Sequence, residues 1–403
     1  MKDSYEYYNL AENIKNNFSF YCGDLDLTIY AENYSKRPPL YAIFILISSF
    51  LLHSKVSVLI IQNAISILSI ILCLNIFKNY YTQINNKILT IFLVTSISQF
   101  IYSNYLMSEI LFQFLIVILC YLFHKIVTEK KIFYLIFFQL IIVLLFLTKP
   151  VFYLFIFPNI FLCFWFSKHI KKAYFFSLIP IMVVLLYMNW NYNRTGSFEY
   201  SSIQNINLKS YNLYYFNVSK YGVDYAQKTD SIITKEAQNQ KTYKEKQNKI
   251  KTLSLQYLQK DWLSYSIAHA KGSFRMLIDP GRFDVYNFFE FKNKSQVGFL
   301  KHLNSDGVSG AYNYFIKQPL IILILIPIVL LLNVFKLIGF VLFWLKNYNK
   351  TSPTCWFMLA LIVYIFLLTG IIGASRFMIP VLPLYLLFST LGFSKKHIKG
   401  FTI

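Results

Sequence analysis

Long apolar stretches separated by short polar loops dominate the chain, and ten of them predict helices. These segments cover 39–52, 56–77, 88–102, 107–123, 132–147, 151–166, 173–190, 319–345, 353–369 and 377–393. A helix needs about 20 apolar residues to cross a hydrocarbon core of about 30 Å, and most of the segments approach that length. The first segment is short and begins with a Pro-Pro pair. The pattern predicts an all-α polytopic membrane protein.

The charge balance agrees with a membrane location and also indicates an orientation. Only 14% of the residues are charged, against about 25% in soluble domains, yet 39 Lys and Arg oppose 18 Asp and Glu, a net charge of +21. Such a surplus fits either a nucleic-acid binder or basic cytoplasmic loops. The short loops 78–87, 124–131, 167–172, 346–350 and 394–403 hold 13 Lys and one acid, Glu129. The excess of Lys and Arg over Asp and Glu therefore indicates membrane topology, and no nucleic-acid partner is predicted.

With these five loops on the cytoplasmic side, the remaining segments alternate without conflict if 39–52 does not cross. The prediction is about nine transmembrane helices and an outer-leaflet juxtamembrane helix. Residues 1–55 form the first extracytoplasmic loop with that juxtamembrane helix, and 56–190 form a transmembrane bundle. Residues 191–318 form an extracytoplasmic subdomain, 319–393 the C-terminal transmembrane helices, and 394–403 a basic cytoplasmic tail.

The predicted subdomain is polar, with a helix expected over 230–258, where Lys, Gln and Glu are frequent. A solvated linker is the alternative. Large apolar side chains favour a folded, partly helical unit; they are Trp262, Phe274, Met276, Phe283, Phe288 and Phe289.

Four ionisable residues interrupt or border the apolar segments: Glu109, Lys149, Lys336 and Arg376. Such residues are costly in a membrane and are often functional. In the predicted topology three of them lie near the outer surface, as do Asp3, Glu6, Lys36 and Arg37, whereas Lys336 is expected to extend its amine towards the cytoplasm. Each alone could be an interfacial charge that anchors a helix end. Together they predict a site for an anionic lipid headgroup, where Arg and Lys bind phosphate and a carboxylate acts as a base.

Cysteine and histidine add little chemistry. The five Cys show no CxxC or Cys/His ligand spacing, which argues against a disulfide framework and a structural zinc site. His269, on a predicted amphipathic helix, is expected to pack or to face solvent. The sequence assigns no cofactor and offers no ligand set for a divalent metal.

Several short motifs together resemble a known pattern. They are Asp3-Ser4-x-x-Tyr7-x-x-x-Ala11-x-Asn13, Lys36-Arg37-Pro38-Pro39-Leu40-Tyr41, Ser103-Asn104-Tyr105-Leu106-Met107-Ser108-Glu109, Thr148-Lys149-Pro150 and Ser375-Arg376-Phe377-Met378-Ile379-Pro380-Val381-Leu382-Pro383. Residues 191–196, followed by Phe198, Ser201 and Ser202, add a further likeness. In this order the motifs resemble integral-membrane glycosyltransferases of the GT-C type, including protein O-mannosyltransferases and the lipid A aminoarabinose transferase.

The resemblance implies roles for particular residues. Asp3 matches the catalytic base of the family, although its usual acidic neighbour is Ser4 here. Glu109 matches the acid that lines the same cavity. Arg37 and Arg376 match contacts to the donor phosphate, and Lys149 is expected to assist them. Family members carry a transmembrane helix before the catalytic acid, so the resemblance predicts that such a helix is missing upstream of Asp3.

The implied reaction transfers a sugar from a polyprenyl-phosphate carrier, with inversion, to a lipid, glycan or protein acceptor. It would occur on the outer face of a bacterial cytoplasmic membrane, during cell-envelope glycosylation. A glycine-rich nucleotide loop is not evident in the sequence, which favours a lipid-linked donor. A flippase or transporter of lipid-linked sugars is the alternative, but internal repeats typical of transporters are not evident. A membrane scaffold would leave Glu109 and Arg376 unexplained.

Overall fold

The computed structural model describes residues 2–52, 54–81, 84–291, 309–310, 312–313 and 316–394, and the regular elements among them are all helical. The α-helices are α1 (Lys2–Asn17), α2 (Glu32–Ser35), α3 (Leu40–Leu52), α4 (Lys55–Lys78), α5 (Asn86–Val94), α6 (Ile97–Ser103), α7 (Glu109–Glu129), α8 (Ile132–Thr148), α9 (Ile156–Phe166), α10 (Leu178–Thr195), α11 (Ile203–Ile206), α12 (Tyr214–Tyr221), α13 (Val223–Gln238), α14 (Tyr243–Lys260), α15 (Trp262–Ile278), α16 (Arg282–Phe288), α17 (Leu320–Asn347), α18 (Pro353–Thr369) and α19 (Leu382–Gly392). Four 3₁₀ helices cover Pro150–Phe155, Ala173–Ser177, Tyr348–Lys350 and Ser375–Val381, and a π-helix covers Asn207–Leu213.

Within the described residues, five helical segments are long and apolar enough to cross a membrane. They are Val56–Lys78, Glu109–Glu129, Ala173–Thr195, Leu320–Lys350 and Ser375–Gly392. Four shorter apolar helices accompany them, over Leu40–Phe50, Ile132–Thr148, Pro150–Phe166 and Pro353–Thr369. The described part of the chain is therefore all-helical, with apolar helices of the length that a membrane protein requires. The basic tail predicted over 394–403 lies, after Ser394, outside the described residues.

The apolar segment 88–102 is not one helix, as the sequence predicts, but two. α5 ends at Val94 and α6 begins at Ile97. At the break, the hydroxyl of Thr95 donates to the Ile91 carbonyl, and that of Ser96 donates to the Phe92 carbonyl, each at 2.7 Å. The Ser96 hydroxyl satisfies a helix-end carbonyl that would otherwise need the next turn of backbone, whereas the Ile91 carbonyl also accepts the Thr95 backbone N–H. The break therefore exposes a polar edge inside the bundle.

α7 lies at the centre of the bundle and packs against α4, α8, α18 and the 3₁₀ helix Ser375–Val381. It is buried on most sides, and its Gln113 amide donates to the Ile379 carbonyl. This hydrogen bond fixes the position of the Ser375–Val381 segment along the bundle axis, relative to the start of α7. As a result, residues 109 and 376 are held at the same level of the bundle.

α17 and α19 approach closely through two glycines. A Cβ on Gly339 would lie 2.2 Å from the Ser389 carbonyl oxygen, and one on Gly392 would lie 1.8 Å from the Gly339 oxygen. Small residues of this kind let helix backbones meet in membrane bundles. The contact between α17 and α19 is thus made by backbone, which leaves no room for a side chain at either position.

Residues 191–291 form a series of helices, and the single helix expected over 230–258 is divided in two. α13 ends at Gln238 and α14 begins at Tyr243, because Thr242 and Glu245 form a reciprocal capping box that starts a new helix. Of the large apolar residues predicted to pack, Met276 is buried, and Phe288 packs partly buried in a cluster with Tyr286. Trp262, Phe274, Phe283 and Phe289 are exposed. The predicted subdomain residues 292–308 lie outside the described part of the chain.

Candidate functional site

Asp3 lies in the first turn of α1, between two arginines from distant parts of the chain. Its Oδ1 accepts a hydrogen bond from Arg37 Nη2 at 2.5 Å, and its Oδ2 accepts one from Arg376 Nη2 at 2.9 Å. The carboxylate is about a quarter exposed, at 28%. Asp3 therefore has a defined position and remains open on one side.

Arg37 is held by a second acid on the same helix. Glu6 follows Asp3 by one turn, so both carboxylates lie on one face of α1. Arg37 Nε donates to Glu6 Oε2 at 2.8 Å, and Lys36 Nζ donates to Glu6 Oε1 at 2.7 Å. The Arg37 guanidinium also lies over the Tyr7 ring, 5.1 Å from its centroid. Glu6 thus orients Arg37 towards Asp3.

The segment before Arg37 is fixed by residues of the motif that begins at Asn191 and ends at Ser202. Ser201 Oγ donates to the Lys36 carbonyl at 2.9 Å, and Ser202 Oγ donates to the Glu32 carbonyl at 2.8 Å. Asn191 holds that motif in turn, because its amide donates to the Glu199 and Tyr200 carbonyls, each at 2.9 Å. This motif serves to position the backbone that carries Arg37.

Glu109 is the first residue of α7 and its side chain is fully buried. Its Oε1 accepts from Lys149 Nζ at 2.9 Å and from Arg376 Nε at 2.6 Å. Its Oε2 is buried without a hydrogen-bond partner. Charge-assisted bonds of this kind are the strong ones, and a buried carboxylate oxygen left unpaired is a rare acceptor.

Lys149 and Arg376 reach Glu109 because extended backbone precedes the 3₁₀ helix at each of these two places. Lys149 has φ −140° and ψ 128°, as expected of a residue that precedes proline. Ala374 is likewise extended before the 3₁₀ helix that carries Arg376. Arg376 then bridges the two acids, since one guanidinium donates to Glu109 through Nε and to Asp3 through Nη2.

The structure therefore joins the five residues to which the resemblance assigns a role, together with Glu6 and Lys36, in one ion-pair network. We name this set the charged cluster; it comprises Asp3, Glu6, Lys36, Arg37, Glu109, Lys149 and Arg376. Three carboxylates oppose four cations, so the cluster carries a formal charge of +1. Ser4, at the position of a second acid, has a buried hydroxyl without a partner.

The cations determine the protonation of Asp3. Partial burial favours the neutral acid, but the attraction of Arg37 and then of Arg376 outweighs burial and lowers the pKa of Asp3 from 3.8 to about 2. In this arrangement Asp3 is an ionised carboxylate with little tendency to take a proton. It would become a better base once the arginines bind another anion.

Two acids beside the charged cluster were not recognised from the sequence. Asp284 accepts from Tyr102 Oη at 2.8 Å and from Ser375 Oγ at 3.1 Å, and Asp279 accepts from the Ser375 backbone N–H at 2.7 Å. Burial raises the pKa of Asp284 from 3.8 to about 6. Both acids hold the residue that precedes Arg376. The signal that could have located them is Asp279-Pro280-Gly281, where Gly281 has φ +72°.

Lys336 does not extend towards the cytoplasm, which corrects the sequence-based expectation. It is only 2% exposed, and its Nζ donates to Ser96 Oγ at 3.1 Å and to Asn333 Oδ1 at 3.0 Å. The polar edge at the break between α5 and α6 supplies the Ser96 acceptor. The sequence could not show that this edge faces α17.

No group of three His, Cys, Asp or Glu side chains suited to hold a metal occurs in the described part of the chain. The five Cys are free and buried. His269 lies between Tyr265 Oη, at 3.4 Å from Nδ1, and the Leu367 carbonyl, at 2.9 Å from Nε2. It therefore ties α15 to α18, which is a packing role.

Comparisons with protein-family models, with curated proteins and with solved structures find no match to this chain.

Proposed function

We propose that the protein is a membrane glycosyltransferase that moves a sugar from a polyprenyl-phosphate carrier to an acceptor at the outer face of a bacterial cytoplasmic membrane. One observation carries the proposal: Arg376 links Asp3 and Glu109, while Arg37 holds Asp3 from the other side. A carboxylate base between two phosphate-binding guanidinium groups has the parts that transfer from a lipid phosphate requires.

The proposed topology has nine crossings. The five long apolar helical segments supply five, and α8, α18 and the continuous segment Pro150–Phe166, which joins a 3₁₀ helix to α9, supply three more. α5 with α6 supplies the remaining one as a broken helix. α3, with 13 residues, is too short to span the core and lies in the outer leaflet. With the basic loops in the cytoplasm, the charged cluster opens on the extracytoplasmic side, where lipid-linked sugars are consumed.

In the proposed reaction the donor phosphate replaces Asp3 as the acceptor of the hydrogen bonds from Arg37 and Arg376. Loss of those partners raises the proton affinity of Asp3, because the opposite charges are then neutralised by phosphate. Donor binding would thus convert Asp3 from a paired anion into a general base. The net charge of +1 in the charged cluster favours entry of an anionic headgroup.

The acceptor hydroxyl then gives its proton to Asp3 as its oxygen attacks the anomeric carbon. The bond between that carbon and the phosphate oxygen breaks, and its electron pair stays on the phosphate. Arg37, Arg376 and Lys149 stabilise the charge that develops there. Attack opposite the leaving group gives inversion. Glu109 orients Arg376 and Lys149, and its unpaired Oε2 would accept a hydrogen bond from a sugar hydroxyl.

The test uses membranes that contain the full chain and radiolabelled polyprenyl-phosphate sugars. Transfer of label to an endogenous acceptor, lost in Asp3→Asn and retained in Glu12→Gln on the same helix, would support the proposal. Movement of label across the bilayer without transfer would replace it with a flippase. Equal transfer by the wild type and Asp3→Asn would eliminate Asp3 as the base.

A further inference from the structure

The helix α15, which belongs to the predicted extracytoplasmic subdomain, is bonded to the middle of a helix of membrane-spanning length. Asn333 of α17 donates to the carbonyls of Asp279 at 3.0 Å and of Ile278 at 3.5 Å. Asn333 lies near the middle of the 28 residues of α17, about 20 Å from either end. The C-terminal end of α15 is therefore level with the interior of α17, which is one of the five segments long enough to cross a membrane.

α17 has apolar side chains open to its surroundings at this level. Leu331 and Phe335, on either side of Asn333 in the sequence, are both exposed. In the proposed topology α17 crosses the membrane, so its middle lies in the hydrocarbon core and these side chains contact acyl chains. The end of α15 thus reaches a depth at which lipid surrounds the bundle.

α15 also closes the C-terminal end of α18. The last four carbonyls of a helix have no partner within the helix, and in lipid such groups must be bonded inside the protein. His269 Nε2 donates to the Leu367 carbonyl at 2.9 Å, and Ser273 Oγ donates to the Phe366 carbonyl at 2.9 Å. Two side chains of α15 therefore supply the donors that water supplies at a solvated helix end.

The same face of α15 meets the backbone after α18 directly. A Cβ on Gly272 would lie 1.9 Å from the Gly370 carbonyl oxygen, and Met276, one turn further along α15, is buried. Close approach at small residues is typical of helices that pack in membranes. His269, Gly272, Ser273 and Met276 thus form the packed face of α15.

The opposite face of α15 is apolar and exposed. Leu263 and Phe274 are each 58% exposed, and Ile267 is 49% exposed. With Ala270, which is also exposed, they recur every three or four residues and so lie on one side of the helix. We name these four residues the apolar stripe. One face packed on protein and another that is apolar and open is the arrangement of a helix held in a membrane interface.

We propose that α15 lies within the outer leaflet of the membrane and that its apolar stripe contacts acyl chains. Lipid is the occupant because the stripe continues the lipid-facing surface of the bundle: Leu367, whose carbonyl binds His269, has a side chain that is itself exposed. Lys271, exposed beside the stripe, extends its amine towards the headgroups. Part of segment 191–318 is then membrane-embedded. The inference rests on the crossing proposed for α17 and does not depend on the transferase activity.

The test places a nitroxide on single introduced cysteines of the full-length protein in phosphatidylcholine vesicles. The five native Cys are buried, and wild-type protein treated with the same reagent gives the background. Power-saturation electron paramagnetic resonance measures collisions with molecular oxygen, which concentrates in hydrocarbon, and with a water-soluble nickel chelate. For Ile267→Cys and Phe274→Cys we expect an oxygen-to-nickel collision ratio several-fold above that of Lys251→Cys, at an exposed position of α14.

Leu331→Cys, on α17, tests the crossing itself and should give the same high ratio as the stripe positions. If the stripe labels meet the nickel chelate as often as the Lys251→Cys label while Leu331→Cys stays in hydrocarbon, α15 lies in water and the proposal is wrong. Stripe labels shielded from both reagents would also overturn it and would indicate a covering protein, such as a second copy of the chain. A Leu331→Cys label open to the nickel chelate would remove the crossing on which the inference rests. Two stripe positions are used so that one decides if the other variant fails to fold.

Discussion

Arg376 and Glu109 lie 267 positions apart in the sequence, and their side chains meet in a 2.6 Å hydrogen bond from Nε to Oε1. The same guanidinium reaches Asp3 through Nη2. The planar guanidinium of Arg376 thus fixes the separation of the Asp3 and Glu109 carboxylates. A displacement of either carboxylate therefore moves the group that the other one binds.

Replacing Arg376 by Lys should weaken donor binding more than turnover. A single ammonium cannot reproduce two bonds made from different edges of a guanidinium. We expect the KM for a polyprenyl-phosphate sugar to rise about 10- to 100-fold, which corresponds to the loss of one charge-assisted bond. Steady-state kinetics with varied donor would check this, and Arg275→Lys, at an exposed position, is the matched control. An unchanged KM would remove Arg376 from the donor site.

Replacing Asp3 by Asn should lower turnover while the protein stays folded. The amide keeps a carbonyl acceptor for one arginine but cannot take the acceptor proton. We expect kcat to fall about 10²- to 10⁴-fold, the usual contribution of a general base. Glu12→Gln, on the same helix, should retain activity. Asp3→Glu, which keeps the acid but displaces it, should lie between them.

Replacing Glu109 by Gln should destabilise the protein, because Lys149 and Arg376 lose their shared anion. Breaking a buried ion pair typically costs about 3–5 kcal/mol. Unfolding in mixed detergent micelles would measure the loss. Since Lys149→Met removes one of the stranded cations, the double variant Glu109→Gln/Lys149→Met should lose less than the sum of the single variants. Additive losses would show that the Glu109–Lys149 pair carries no coupling energy.

Asp284 should make stability fall as pH rises. Its pKa is about 6 in the folded protein against 3.8 for the free acid, so the folded chain binds the proton more tightly. The free energy of unfolding therefore decreases as pH rises from 3.8 to about 6, and it stays low above that range. Asp284→Asn should remove about 3 kcal/mol of this decrease. Unfolding of both proteins at pH 4 and pH 7 would measure it, and parallel pH profiles would contradict it.

Adding one methyl group at Gly339 should disturb the packing of α17 against α19. The new Cβ would lie 2.2 Å from the Ser389 carbonyl oxygen, so α17 and α19 must separate. We expect a loss of about 1–3 kcal/mol, as for other overpacked sites, measured as a lower Tm in detergent. Val341→Leu, on the exposed face of α17, enlarges a side chain without a packing partner and should leave Tm unchanged.

The sequence located much of the charged cluster, because rare charges in apolar segments are conspicuous and the topology placed them on one face. Asp3, Glu109 and Arg376 were grouped on that ground, and the structure brings them together; their roles in catalysis stay predictions. Asp279 and Asp284 were missed because acids in a polar segment look like ordinary solvated residues. Their contacts with Ser375, and the burial of Asp284, follow from tertiary packing that no local pattern reveals.

Some helix boundaries could likewise be predicted from the sequence, and others could not. Pro353–Thr369 was predicted with the bounds that the structure gives α18, because Pro and the apolar run define both ends. The break between α5 and α6 was not predicted. A hydropathy pattern contains no information on the hydrogen bonds that the Thr95 and Ser96 hydroxyls donate to helix carbonyls. Lys336 was misplaced for the same reason, since its acceptor is created by that break.

The bridge made by Arg376 also has a consequence for biosynthesis. A ribosome delivers Asp3, Arg37, Glu109 and Lys149 to the membrane long before residue 376. Until then the three carboxylates of the charged cluster face three cations, and the set is electrically neutral. The surplus positive charge of the charged cluster arrives only with Arg376. In a nascent chain the cluster would therefore be neutral, and its positive charge would appear only when the last helices join the bundle.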